Sequence, residues 1–253
     1  MGPLGFARSS VHTAISSTRD GLRTLLRETA QSVAVVTALL PASPSAPASA
    51  PTYHGATLSS FTSIALDPLP LVAFSLRVPS RMASALNGRV HVQPLPPSPS
   101  LSSPAHFVIN ILSAAQPHLA DCFARPDLHP RPFEDPRVRY TTSQDGLPVL
   151  SGALGALSCR LVGPSLPLSH LRESHVYALD DEPKLVQEEG GEVQQVAGGI
   201  GLASELFIAR VLRVERVPLS EDEERGASEL HSLPLLYHRR RYTTVGDRSK
   251  SDS

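Results

Sequence analysis

A chain of 253 residues, 41% of them hydrophobic, can bury a real core as one large domain or two small ones. Its formal net charge of −1 gives no broad field for nucleic acid or an anionic membrane, and no apolar run reaches membrane-spanning length. Two cysteines, Cys122 and Cys159, each in apolar sequence, are too few for a disulfide framework and fit a reducing compartment.

Residues 1–20 hold Arg8 and Arg19 among several Ser and Thr, with no acid before Asp20. They read as a frayed or targeting-like N-terminus, so a cytoplasmic protein is expected, with a mitochondrial address as the alternative. Residues 20–31 predict a helix with Asp20 as N-cap and Leu22, Leu25 and Leu26 on one face. The β-branched run 32–40 predicts a buried strand, and 53–60 a second one, with a Pro/Ala/Ser-rich insertion at about 41–52 between them. Residues 71–77 predict a third strand. Ser80 then caps a short helix, 81–86, that stops at Asn87-Gly88. A second Pro/Ser-rich insertion, about 93–104, precedes a fourth strand at 106–112 and a helix at 116–124.

Residues 126–146 read as an irregular excursion. Long strands are predicted at 153–162 and 205–217, separated by a polar insertion at 166–201. Residues 235–244 predict one closing strand, and the tail 246–253 is polar. Six or seven strands with few helices and no repeated βαβ unit favour a mainly β, largely antiparallel barrel with a few peripheral helices and long inserted loops. The domain is expected to span 21–245.

Several chemistries are set aside. There is no Gly-x-Gly-x-x-Gly after a strand, no phosphate-loop Gly-Lys-Ser/Thr and no Gly-x-Ser-x-Gly elbow. His170 and His175 are wrongly spaced for one helical face, and no metal site is read. Arg239-Arg240-Arg241 is too short and isolated to argue for nucleic acid. What remains is a set of hydroxyls and small residues, Thr57, Ser59 and Ser60, where a planar ring could approach the backbone, and Ser80-Arg81, where a helix start and a guanidinium make an anion site. Taken singly, an ordinary strand and a plain N-cap are the better explanations of these residues.

In combination they resemble a known family. Thr57-Leu58-Ser59-Ser60-Phe61-Thr62-Ser63, then Leu66-Asp67-Pro68, Leu71-Val72 and Ser80-Arg81, look like the flavin reductase-like, FMN-binding split-barrel family. The later pieces keep its order: Phe107-Val108-Ile109-Asn110-Ile111-Leu112, Gly146-Leu147-Pro148-Val149-Leu150, and the closing Pro234-Leu235-Leu236-Tyr237-His238-Arg239-Arg240-Arg241-Tyr242. The resemblance implies an antiparallel split β-barrel that forms a homodimer and holds FMN, with FAD as the alternative. It implies hydride transfer from NADH or NADPH to the flavin, and a partner monooxygenase as one destination for reduced flavin. No membrane or nucleic-acid partner is implied.

Carried over by position, Thr57, Leu58, Ser59, Ser60 and Ser75 would contact ring and ribityl chain, and Ser80 and Arg81 the phosphate. Asn110, His238 and Tyr242 would line the pocket. His238 is a candidate for orienting the nicotinamide, and no other catalytic residue is assigned. Three positions depart from the family: Met82 stands where Thr is usual, and Arg240 where Gly is usual. Ala203-Ser204-Glu205 replaces a Gly-Asp-His. The missing histidine leaves two other readings, a flavin-binding protein without reductase turnover and a split-barrel oxidase of a small organic substrate.

Overall fold

The runs rich in Val, Ile and Phe become sheet, and almost all of them join one sheet. The computed structural model describes residues 17–41, 52–92, 104–168, 203–217 and 229–246. The targeting-like segment before residue 17, most of the three insertions and the tail lie outside the described residues.

Helix α1 (17–27) leads into strands β1 (Gln31–Ser32), β2 (Ala34–Leu39) and β3 (Tyr53–Leu58). Then come β4 (Thr62–Ala65), β5 (Leu71–Val78), helix α2 (Arg81–Val92), β6 (Phe107–Ile111) and helix α3 (Pro117–Ala124). A 3₁₀ turn at Pro132–Glu134 precedes β7 (Tyr140–Thr142), β8 (Pro148–Leu150), β9 (Gly155–Leu161), β10 (Leu166–Pro167) and β11 (Ala203–Glu215). The hairpin β12 (Leu236–His238) and β13 (Arg241–Thr243) ends the described chain.

The main sheet is antiparallel, in the order β3-β2-β6-β9-β11-β5-β4, with β10 added to β11. Its two end strands, β3 and β4, are consecutive in the chain. The sheet therefore curls into an open barrel, and Ser60 ties the rim: its Oγ accepts from Ser75 N at 2.9 Å and lies 3.2 Å from Ser75 O. The barrel is mainly β with peripheral helices, as expected.

Phe74, Phe107 and Phe207 fill its interior. Phe74 stacks on Phe207 at 5.4 Å between ring centroids and meets Phe107 edge-on at 5.5 Å. A second cluster, including Val35, Leu112, Leu119, Phe123 and Leu235, lies on the other face of the sheet beneath α3. A small sheet, β1-β12-β13, covers that side.

Four expectations need correction. Helix α1 begins before Asp20 and stops at residue 27, because β1 pairs with β12 and the Arg239 N–H bonds Arg27 O at 3.1 Å. Asp20 therefore lies inside the helix and pairs with Arg23 at 3.3 Å. Leu22, Leu25 and Leu26, the apolar stripe that suggests burial, are all exposed.

Helix α2 runs through Asn87-Gly88 instead of ending there. Asn87 Nδ2 donates to Glu205 Oε2 at 2.8 Å, which fixes this turn against β11, and a helical glycine costs only about 1 kcal/mol. The excursion at 126–146 contains β7, which pairs with β8. Lastly, residues 235–244 are a hairpin and not one strand. Arg239 and Arg240 make the turn with φ of 49° and 63°, and the Arg239 guanidinium pairs with Glu28. No Gly or Asn marks this turn, so the sequence carries no signal for it.

Candidate functional site

Strand β3 is built around a close approach. A Cβ on Gly55 would sit 2.5 Å from two ring atoms of Phe123, so only glycine lets α3 lie against this strand. Two residues on, the Thr57 hydroxyl donates to Ala120 O at 2.7 Å and fastens the helix from the same strand. The contact leaves a cavity of about 970 Å³ between β3 and its following turn, the start of α2, the end of α3 and the terminal hairpin. That size suits a ligand with several rings or groups.

Thr57, Leu58, Ser59, Ser60, Ser75, Ser80, Arg81 and Tyr242 all line this cavity. Several of their hydroxyls already have internal work. Thr57 holds α3, and Ser60 holds Ser75. Ser80 Oγ accepts from Ala83 N at 3.1 Å, which is the N-cap expected at α2. Ser80 can still donate its own proton. The first-turn N–H groups of α2 have no intrahelical acceptor, and the positive end of the helix dipole adds to Arg81.

Asn110 and His238 are not among the lining residues. Asn110 is fully buried behind the sheet. Its Nδ2 donates to Val35 O at 3.2 Å and Thr37 Oγ1 at 3.1 Å, while its Oδ1 accepts from Leu150 N at 2.8 Å. It ties β6 to β2 and β8, with both ends of its amide engaged. His238 sits opposite Arg241 in the hairpin, while Tyr237 opposes Tyr242 with ring centroids 5.5 Å apart. His238 does not join Tyr242 at the pocket, because the chain reverses between them and puts Tyr237 on the Tyr242 side. Tyr237 and Arg240 line the cavity instead.

Three further contributors were missed. His54, next to the glycine, lines the cavity and is buried; burial first, then the Arg81 charge, holds its imidazole below its ordinary range, so it is neutral at pH 7. Arg77 and Arg125 join Arg81 and Arg240, so four guanidinium groups and two carboxylates, Asp121 and Asp127, surround the space. Residues 121 and 123–127 form a whole wall that only the fold brings there. The Tyr242 phenol is pushed up to about 12 by burial, with Asp121 adding to it, and stays a neutral donor. Of the residues that replace the family's Gly-Asp-His, Ser204 lines the cavity, and Glu205, at the histidine position, accepts from Asn87 Nδ2 and Ser165 Oγ, each at 2.8 Å.

The cavity fits a flavin mononucleotide in chemistry: peptide groups and small side chains along β3 for a flat ring, and the capped, arginine-bearing start of α2 for a phosphate. A family model described as flavin reductase like domain matches residues 26–246. The chain belongs to this flavin reductase-like family. Its similarity to curated relatives is partial. It is 34% identical over 128 residues to the FMN reductase (NADH) SmoA of Agrobacterium fabrum, a match covering 51% of this chain and 56% of that protein. It is 33% identical over 142 residues to an NADPH-flavin oxidoreductase of Streptomyces viridifaciens, covering 55% and 60%. The match thus spans little more than half the length of either relative.

Among solved structures, the fold matches nitrilotriacetate monooxygenase component B of Mycobacterium thermoresistibile with a TM-score of 0.56 at 18% identity, covering 94% of this chain and 92% of that one. It also matches the styrene monooxygenase flavin reductase of Pseudomonas putida S12, with a TM-score of 0.52 at 22% identity, covering 89% and 97%. These likenesses establish the split-barrel fold.

Proposed function

We infer that this protein is an NAD(P)H-dependent flavin reductase that holds FMN in the β3–α2 cavity. The observation that carries the reading is the join of two features in one space: the backbone-lined strand opposite α3, and the Ser80-capped helix start with Arg81 at its end. Bound flavin would supply the hydride-accepting ring. The chain's own part is to bind and orient. Arg81 and the first turn of α2 hold the phosphate, and β3 offers peptide groups to the ring edge. Tyr242 lines the hairpin side, with its phenol bonded to Asp121, and α3 with its following loop shields one side from water. No side chain need move a proton for hydride transfer, which agrees with a neutral His54 as the one histidine among the described lining residues.

A homodimer belongs to the same proposal. Ile64 of β4 and Leu66, just after its end, are 51% and 75% exposed, apolar side chains that a second copy would cover. FAD in place of FMN, the choice of nicotinamide, a monooxygenase recipient and a cytoplasmic address stand as parts of this proposal. A second reading, flavin binding without turnover, is favoured by Ser204 and Glu205, where the family pattern has its histidine.

Anaerobic addition of NADH or NADPH to the FMN-loaded protein decides between them. Bleaching of the yellow absorbance at a rate above that of free FMN is expected. Persistent yellow would favour the non-catalytic reading, and a protein that takes up no flavin would overturn both.

A further inference from the structure

Behind the α3 wall, three side chains meet that have no part in the cavity: Cys122 of α3, His129 of the loop after it, and Asp135 beyond the 3₁₀ turn. One ligand atom from each, the thiol sulfur, an imidazole nitrogen and a carboxylate oxygen, lies within 4.8 Å of the other two. Their positions are fixed by backbone bonds. The His129 N–H donates to Arg125 O at 2.9 Å, and the Asp135 N–H to Pro132 O at 3.2 Å, while Val138 N donates back to Asp135 O at 2.9 Å. Cys122 is buried, and His129 and Asp135 are half-buried, so the set is screened from bulk water but open on one side.

We propose that Cys122, His129 and Asp135 form a binding site for a divalent cation of the zinc class, which fastens α3 to the loop that walls the cavity. One sulfur, one nitrogen and one oxygen ligand form a borderline-soft set, which selects Zn²⁺ over Mg²⁺ or Ca²⁺. Three protein ligands leave a fourth, tetrahedral position for water. Ligand atoms around tetrahedral zinc lie about 3.4 Å apart, so side-chain rotation of about 1 Å closes the set.

Arg137 is the competing partner. Its Nε and Nη2 donate to Asp135 at 3.0 and 2.7 Å. A carboxylate has about four lone-pair positions, so Asp135 can keep this fork and still turn one lone pair to the cation. The fork then aims the carboxylate, as supporting bonds do at metal sites. Uptake exchanges the Cys122 proton for the cation. The thiolate and carboxylate charges balance it, and Arg137 leaves one positive charge at the rim.

The site does not depend on the flavin reading, and neither does its test. Chelator-treated full-length protein is titrated with Co²⁺, and the visible and near-ultraviolet spectra are followed. The expected result is one Co²⁺ per chain, with the intense visible bands of tetrahedral cobalt and a thiolate-to-cobalt charge-transfer band, all displaced by Zn²⁺. Cys122→Ser should abolish the charge-transfer band. His129→Gln, at a half-buried position that tolerates the change, should weaken Co²⁺ by at least the roughly 10–100-fold that losing a supporting residue costs. Zn²⁺ should raise the melting temperature of the parent protein but not of His129→Gln. A spectrum without the thiolate band, or one unchanged in either variant, overturns the site.

Discussion

The two long walls of the cavity face each other but are specified in different ways. The β3 wall is local: residues 54–60 follow one another, and their small side chains and hydroxyls are set by one strand and its turn. The opposite wall is assembled from the end of α3, residues 125–127 and the hairpin at 237–242, far apart in sequence. They meet where Gly55 lies under the Phe123 ring and the Thr57 hydroxyl bonds Ala120 O. The comparison teaches that the local wall supplies recognition while the assembled wall supplies enclosure, and that enclosure hangs on a few contacts.

The contrast can be broken most strongly at Phe123, which is 4% exposed and packs edge-on to Phe133 at 5.3 Å. Phe123→Ala should cost about 3–5 kcal/mol in denaturant unfolding. If only the assembled wall depends on it, the loss should appear with raised protease sensitivity at residues 125–139. Equal loosening of β3 would erase the distinction.

A pH effect tests the sheet behind the local wall. His106 is buried, accepts from Leu161 N at 3.3 Å and has its Nε2 unpartnered. Burial, then the Arg160 and Arg89 charges, hold its pKa at about 4, against 6.5 in the unfolded chain. The unfolded state therefore takes the proton first. The native advantage is complete above pH 6.5 and falls by about 3 kcal/mol as pH drops to about 4. Urea midpoints measured across that window should follow this curve, and His106→Gln should flatten it.

Gly55→Ala gives a smaller and more local effect. The added methyl must push the Phe123 ring aside, at about 1–3 kcal/mol. Displaced Phe123 should weaken flavin binding as well as stability. A variant as stable and as tight as the parent would show that the close approach carries nothing.

Legibility followed the same division. The six long strands were readable because Val, Ile, Phe and Leu runs end in Pro, Gly or Ser clusters, and Ser80 announces α2 by its capping hydroxyl. Eight cavity residues came from the family resemblance, in the local wall, the α2 start and the closing motif. The reversal at Arg239-Arg240 was invisible because two arginines adopt positive φ without Gly or Asn, held by contacts to Arg27 and Glu28. Asn110 was misassigned because a strand asparagine reads alike whether it faces a ligand or ties Val35, Thr37 and Leu150 together. The Cys122, His129 and Asp135 set was unreadable because a loop, not a spacing, brings the three together.

The central claim is that the cavity holds a flavin with its phosphate at the start of α2. It is tested most directly by comparing the affinities of FMN and riboflavin in the parent protein and in Arg81→Ala, by fluorescence titration. The account predicts that the variant loses about 1.5–3 kcal/mol for FMN, the worth of a charge-assisted hydrogen bond, and little for riboflavin. Equal losses for both ligands, or none for either, would contradict it.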